Sequence, residues 1–164
     1  MRHNPKGFFE DATIQLEESL KLISHRLKLE DEDVAILIQP MVYGNYGKNS
    51  YSGYFFSRNI ITGEKKIQGE FFKNKFNEQN AIGSDINLIE NTVLKKLEAI
   101  GVILEDKTKE IRNIRFTIEN GKLWLIDQRS VEGITTTALI LFLLDLHKRK
   151  IVDAKYVVKS IRPE

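Results

Sequence analysis

Residues 39–70 combine the residue types with which proteins bind phosphate groups. Glycines there allow a close approach of the backbone, and serines offer hydroxyl groups. Arg58 adds a planar cation that can hold phosphate oxygens through two hydrogen bonds. The glycines and serines concerned are Gly44, Gly47, Ser50, Ser52 and Gly53. Glycines between strands are usually turn residues, and no Walker A pattern is present, so both interpretations stay open.

Apolar runs of strand length surround this stretch. The first covers residues 35–38, the second covers residues 54–57, and the third ends at Gly69 and Glu70. Residues 59–63 have the composition of a turn between the second and third runs. This order of strand, loop, strand, turn and strand predicts an antiparallel meander.

Helical periodicity predicts three longer helices, over residues 11–29, 88–104 and 134–150. Asp11 is a candidate N-cap of the first helix, and Asp153 is a candidate cap of a short last helix. Together with the meander, these helices predict the α+β class: an antiparallel sheet with flanking helices.

Residues 111–129 alternate between apolar and polar types around Asn120 and Gly121, which predicts a β-hairpin. Two registers stay open. A two-residue loop would pair Arg115 with Ile126, whereas a three-residue loop with a bulge would place Arg115 and Asp127 on the same face. The register therefore decides whether these two charges can meet.

The composition is typical of one globular domain over residues 1–164, with 41% hydrophobic and 29% charged residues. The net charge is +2 and the lysines are interspersed with acids, so no nucleic-acid partner is expected. The absence of cysteine excludes thiolate chemistry and fits a cytoplasmic location. No signal peptide is expected, and no segment reaches the ~20 apolar residues of a membrane span, so no membrane partner is expected either.

Two sequence blocks carry a family resemblance. The first reads QPMVYGNYGKNSYSGYFFSRNIITGEKKIQGE and the second reads NIRFTIENGKLWLIDQR. They are similar to the patterns QxMVxGNxGxxSGTGVxFTRNPxTGExxxxGE and DIEFTIExGKLxxLQTR of the nucleotide-binding domain of pyruvate, phosphate dikinase. The blocks and the segments around them cover most of the chain in the family's order.

The resemblance implies an ATP-grasp fold, in which two α+β lobes clamp ATP and Mg²⁺, and the chain looks like the second lobe only. Four residues match positions that line the phosphates: Gln39, Ser52, Gly53 and Arg58. Glu70 matches an acid on the adenosine side, and Arg129 matches an arginine at the phosphate end. The alternative for Glu70 is a turn acid, and for Arg129 it is a surface ion pair.

The sequence departs from the family where the metal is expected. Asn113 and Arg115 stand where the family has an aspartate and a glutamate that help to hold Mg²⁺. An arginine has no lone pair to offer a hard cation, and its charge repels one. Asp127 replaces a glutamine, and it can either supply one metal ligand or pair with Arg115. Tyr51 replaces a glycine of the phosphate loop.

The resemblance therefore implies an ATP-binding portion of a dikinase-like protein that is not competent in catalysis alone. Neither the first lobe, nor the phosphohistidine domain, nor the pyruvate barrel is recognised in the chain. A missing ATP-grasp lobe is the expected partner. The alternative is a non-catalytic homologue that acts in assembly or regulation, in which case self-association is expected.

Overall fold

The computed structural model describes residues 7–26, 35–76 and 81–161. The chain divides between Pro40 and Met41 into two compact units. The expectation of one domain over residues 1–164 stays a prediction.

The first unit contains the helix α1, Ala12–Arg26. Asp11 precedes it, and its Oδ1 accepts a hydrogen bond from the Thr13 amide at 2.7 Å, which confirms the predicted N-cap. The predicted continuation of this helix to residue 29 lies outside the described residues. The predicted strand over residues 35–38 is wrong: this segment has no regular structure, and Leu37 is 81% exposed instead of buried on a sheet.

The second unit contains an antiparallel sheet of five strands within the described part of the chain. The strands are β1 (Tyr51–Phe56), β2 (Gln68–Lys73), β3 (Ser84–Asp85), β4 (Arg112–Glu119) and β5 (Lys122–Ser130). Their order in the sheet is β3-β2-β1-β4-β5, and all neighbours are antiparallel. The predicted α+β class is confirmed.

The turn between β1 and β2 is the one predicted over residues 59–63. Asn59 Oδ1 accepts hydrogen bonds from the amides of Ile61 (2.8 Å) and Thr62 (2.9 Å), and Gly63 has a φ of 77°. The predicted third run is wrong in its extent, because β2 begins at Gln68, just before Gly69 and Glu70, where that run was expected to end. Residues 64–66 are charged and exposed, so they have no sheet face to bury.

In the described part of the second unit, three α-helices accompany the sheet: α2 (Asn91–Thr108), α3 (Thr136–Lys148) and α4 (Ala154–Ser160). Asp153 caps α4, as predicted, by accepting a hydrogen bond from the Tyr156 amide at 2.7 Å. No helix in the described ranges has the length and apolar character needed to cross a bilayer.

Two apolar clusters hold these elements. In the first, Leu97 of α2 packs against the sheet face that carries Phe55, Ile114 and Phe116. The second cluster joins α3 and α4 to the start of β4. Its buried members are Ile111, Phe142, Leu143, Leu146 and Val157. Helices therefore cover one face and one end of the sheet.

The β4–β5 hairpin combines the two predicted alternatives: it has the two-residue loop of the first and the placement of Arg115 and Asp127 on one face of the second. Its loop has two residues, Asn120 and Gly121, both with positive φ. A bulge interrupts the pairing between Arg115 and Phe116, and Ile126 is the extra residue of β5. As a result Arg115 lies opposite Asp127. The bulge, which was expected in the loop, lies inside the ladder.

Candidate functional site

Alternate side chains of the sheet point away from α2 and form what we call the polar face. Strand pairing arranges its central residues in two rows across the sheet. The first row is Glu70, Tyr54, Arg115 and Asp127, and the second row is Gln68, Phe56, Asn113 and Arg129. Four strands therefore contribute to one surface.

The first row begins at its acidic end. Glu70 Oε2 accepts a hydrogen bond from the Tyr54 hydroxyl at 3.2 Å. Asp85 of β3 pairs with Glu70 in the ladder, and hydrogen bonds from the backbone and side chain of Asn87 lower the pKa of Asp85. Arg115 follows in the row and is exposed. The row thus runs from two acids, through a phenol, to a guanidinium and a further acid.

The second row contains acceptors without partners. Gln68 Oε1 and Asn113 Oδ1 are buried from solvent, and neither has a hydrogen-bond partner among the described residues. Phe56 lies between them in the register. Buried acceptors of this kind are rare because each costs free energy. Their hydrogen-bonding capacity is therefore unused within the described part of the chain.

Two clefts open along the polar face. One has a volume of about 450 Å³, and the other, next to it, about 420 Å³. Both are lined by Tyr54 and Glu70. The first also includes Phe56, Lys66, Gln68 and Asn87, and the second includes Asn113 and Arg115. Volumes of this size are common for small-molecule sites.

Asp127 and Arg129 form an ion pair on the polar face. Arg129 Nε donates to Asp127 Oδ2 at 2.6 Å, and the Gln128 amide donates to Asp127 Oδ1 at 2.8 Å. The Arg129 side chain is 75% exposed and that of Asp127 is 36% exposed. Both carboxylate oxygens therefore have donors already, and the guanidinium stays accessible to solvent.

These residues do not fit a Mg²⁺ site. The described ranges contain no group of three or more His, Cys, Asp or Glu side chains that could hold a metal. Glu70 and Asp127 are three strands apart, roughly 14 Å at about 4.8 Å per strand, which is too far for one ion. The residue between Tyr54 and Asp127 in the row is Arg115, a cation. The predicted metal role of Asp127 stays a prediction.

Arg58 lies in the interior of the unit instead of on the polar face, and only 1% of it is exposed. Its Nε and Nη2 donate to the two carboxylate oxygens of Glu105 at 2.9 and 2.7 Å, and Nη2 also donates to Asp145 at 3.2 Å. The Phe142 ring lies 4.8 Å from the guanidinium carbon. Its predicted contact with phosphate stays a prediction. In this structure the guanidinium connects the segment after β1 with α2 and α3.

Asp145 completes this buried network. Burial acts to raise the pKa of Asp145, but hydrogen bonds from Lys65 and Arg58 and the charges of Lys65 and Arg149 outweigh burial and lower the pKa. A carboxylate with a lowered pKa in the folded state stabilises the fold above its ordinary pKa. That contribution is lost as the pH falls through the lowered value.

We expect acid to weaken this fold partly through Asp145. The free energy of unfolding should decline from about pH 5 downwards, because the ordinary pKa of an aspartate is about 3.9. In Asp145→Asn the decline should be shallower, although the variant is less stable at neutral pH. Urea unfolding at a series of pH values measures both profiles, and parallel profiles would contradict the assignment.

The structure gives Gly53 a packing role. A Cβ at Gly53 would lie 2.7 Å from the Glu70 carbonyl oxygen and 2.7 Å from the Phe116 ring. Ser52, its neighbour, points to the polar face, is buried, and has an Oγ without a hydrogen-bond partner among the described residues. The phosphate contacts predicted for both residues stay predictions.

The glycine-rich loop before β1 is tied to the hairpin. The Ser50 hydroxyl, which is buried, donates to the Tyr46 carbonyl and accepts from the Asn120 amide at 3.0 Å. The Gly121 amide donates to the Asn49 carbonyl at 2.9 Å. For Ser50, these contacts favour the interpretation as a turn residue over that as a phosphate contact.

The sequence-predicted residues divide accordingly. Glu70, Arg129, Asp127 and Ser52 share the polar face, whereas Gly53 and Arg58 serve the interior. Gln39 is exposed in the first unit, and its role stays a prediction. Sequence reasoning did not single out Tyr54 or Gln68. The available signal was the spacing of two between Gln68 and Glu70, which places both on one face of a strand.

The second unit is thus an α+β lobe with a polar sheet face, an architecture consistent with one lobe of an ATP-grasp domain. No family model matches the chain. The chain is 58% identical over 162 residues to pyruvate, phosphate dikinase of Treponema pallidum. The alignment covers 97% of this chain and 18% of that relative. It is 32% identical over 184 aligned positions to pyruvate, phosphate dikinase of Rickettsia prowazekii, with 97% of this chain and 21% of that relative covered.

A plant relative agrees with these two. The chain is 34% identical over 137 residues to the chloroplastic pyruvate, phosphate dikinase of Mesembryanthemum crystallinum. The alignment covers 79% of this chain and 14% of that relative. The chain is therefore homologous to part of the proteins named pyruvate, phosphate dikinase. It spans about a fifth or less of the length of these curated relatives.

Proposed function

We propose that the chain is the ATP-binding portion of a pyruvate, phosphate dikinase-like protein, and that the polar face is the surface that takes the nucleotide. Phosphate oxygens bind near Arg115 and Arg129, and the adenosine lies toward Glu70. The proposal is supported by homology and by the register that brings these three residues onto one face. That register is the observation that carries it.

The physical argument concerns charge and shape. Guanidinium groups bind phosphate through paired, charge-assisted hydrogen bonds, and Arg129 is exposed enough to do so. The cleft of about 450 Å³ beside Glu70 has room for a base or a sugar, with Phe56 and Tyr54 on its wall. Glu70 is already oriented by the Tyr54 hydroxyl and can accept hydrogen bonds from ribose hydroxyls.

We also propose that the chain does not transfer phosphoryl groups alone. That reaction depends on positioning and on neutralisation of the developing charge around the transferred group. The polar face supplies cations on one side of a nucleotide only, and its acids do not fit a Mg²⁺ ion. A second ATP-grasp lobe is the partner that this proposal requires, and we place the protein in the cytoplasm.

Calorimetric titration with ATP tests the proposal. Arg129→Gln should weaken binding about tenfold, because a hydrogen bond to a charged group contributes about 1.5–3 kcal/mol. Lys96→Gln is the matched control: it removes one exposed charge from α2, on the opposite side of the sheet, and should leave the affinity unchanged. Absence of binding by the wild-type chain at millimolar ATP would contradict the proposal.

The second candidate is a non-catalytic module that acts in assembly or regulation. It is favoured by apolar side chains left exposed on α3, of which Leu141 is 46% and Leu144 49% exposed. Sedimentation should then show an oligomer that dissociates when both leucines are replaced by serine. A monomer at all concentrations, with ATP binding intact, would exclude self-association.

A further inference from the structure

Two guanidinium groups occupy the part of the polar face where a nucleotide's phosphates are proposed to bind. Arg115 lies in the first row and lines the second cleft, and Arg129 lies in the second row. Their strand positions place them on adjacent strands, two residues apart in the ladder. A polyphosphate can span this spacing with successive phosphate groups, since each guanidinium presents a planar fork of donors.

The acids on the same face are committed to other partners. Asp127 accepts from Arg129 and from the Gln128 amide, and Glu70 accepts from Tyr54. Asn113, whose Oδ1 has no hydrogen-bond partner among the described residues, contributes an amide and no charge. Mg²⁺ requires about six oxygen ligands in octahedral geometry, usually with one or two carboxylates from the protein. At the arginine end of the polar face the carboxylate is that of Asp127, which Arg129 already neutralises, so this end does not meet that requirement.

We infer that the polar face binds the nucleotide's phosphates directly and without a divalent cation, with Arg115 and Arg129 supplying the positive charge. The inference rests on the proposed function. It adds that the nucleotide binds as the metal-free anion and not as its Mg²⁺ complex. It concerns binding alone, so no group is transferred and no bond is broken.

Free Mg²⁺ then competes with the protein. A bound Mg²⁺ removes two of the negative charges of a nucleoside triphosphate and occupies oxygens that the arginines would contact. The metal complex should therefore bind more weakly than the metal-free nucleotide. This order is the reverse of that in a site that holds the metal with carboxylates, and the sign of the Mg²⁺ effect separates the two.

The first experiment titrates the wild-type chain with ATP, once in EDTA and once in excess Mg²⁺, by calorimetry. Binding should be present in EDTA and about tenfold weaker with Mg²⁺. Arg115→Gln should weaken metal-free binding about tenfold and leave little Mg²⁺ effect. Lys96→Gln, on α2, should behave as the wild type does.

The second experiment converts the site. Asn113→Asp with Arg115→Glu places two carboxylates two residues apart on one strand face, within reach of Asp127. Mn²⁺, followed by its electron paramagnetic resonance signal in the absence of nucleotide, should bind to this variant and not to the wild type. Asn91→Asp with Lys95→Glu makes the same charge change on the exposed surface of α2 and should not bind Mn²⁺.

The outcomes separate the two ideas. Binding of ATP only in the presence of Mg²⁺, or Mn²⁺ binding by the wild-type chain that Arg129→Gln strengthens, would overturn the inference and leave the proposed ATP binding intact. Absence of ATP binding under both conditions would overturn both. If the converted variant does not fold, the wild-type and Arg115→Gln titrations decide by themselves.

Discussion

Arg58→Ala is expected to lower the free energy of unfolding by about 3–5 kcal/mol, because it leaves Glu105 as an uncompensated buried charge. Among the described residues, the Glu105 carboxylate would keep one side-chain donor, the Ser57 hydroxyl 2.8 Å away. The loss is large because the guanidinium connects the segment after β1 with α2 and, through Asp145, with α3. Urea unfolding followed by circular dichroism measures it.

Two variants sharpen this measurement. Arg129→Ala removes the same residue type from an ion pair that is exposed, and it should cost less than about 1 kcal/mol. Arg58→Met combined with Glu105→Leu removes both buried charges and should recover much of the lost stability, since apolar side chains of similar volume can replace a buried pair. Equal losses in Arg58→Ala and Arg129→Ala would contradict the structural role of Arg58.

Gly53→Ala is expected to lower the free energy of unfolding by about 1–3 kcal/mol, because the added methyl group meets both a backbone oxygen and the Phe116 ring. The backbone contact cannot be relieved by a change of rotamer. Thermal unfolding measures the loss. If Gly53 were only a phosphate-binding glycine, the variant would keep its stability and lose ATP binding instead.

Ser52→Ala is the companion to this variant. It removes a hydroxyl that has no hydrogen-bond partner among the described residues, so the free energy of unfolding should change by less than about 1 kcal/mol. If the hydroxyl binds a phosphate, ATP affinity should fall. The two neighbouring substitutions therefore separate folding from binding: a loss of stability in Ser52→Ala with affinity unchanged would contradict the expected division.

The α+β class followed from local patterns. Helical periodicity located α1, α2 and α3 to within a few residues, and the cap at Asp153 is a short-range interaction that the sequence reveals directly. The hairpin was visible because Asn and Gly accept positive φ at its turn. Patterns failed where the decisive interaction is distant along the chain.

Three errors have such causes. Residues 35–38 are apolar but have no place in the sheet, and β2 starts late because its pairing begins opposite Phe56. The bulge at Ile126 cannot be read from a loop length, since it arises within the ladder. Besides these three errors, sequence reasoning missed the buried ion pair of Arg58 with Glu105, because the two residues lie far apart along the chain.

The strand order also dictates when the sheet can assemble. The β4–β5 hairpin closes a two-residue loop, which takes microseconds. The pairing of β1 with β4 instead brings together residues that lie far apart along the chain, such as Ser52 and Thr117. Since β1 lies in the middle of the sheet, β2 and β3 cannot join β4 and β5 before that long-range closure. We therefore expect β1 to set the rate of folding, and substitutions at the Asn120–Gly121 turn to slow refolding more than they speed unfolding.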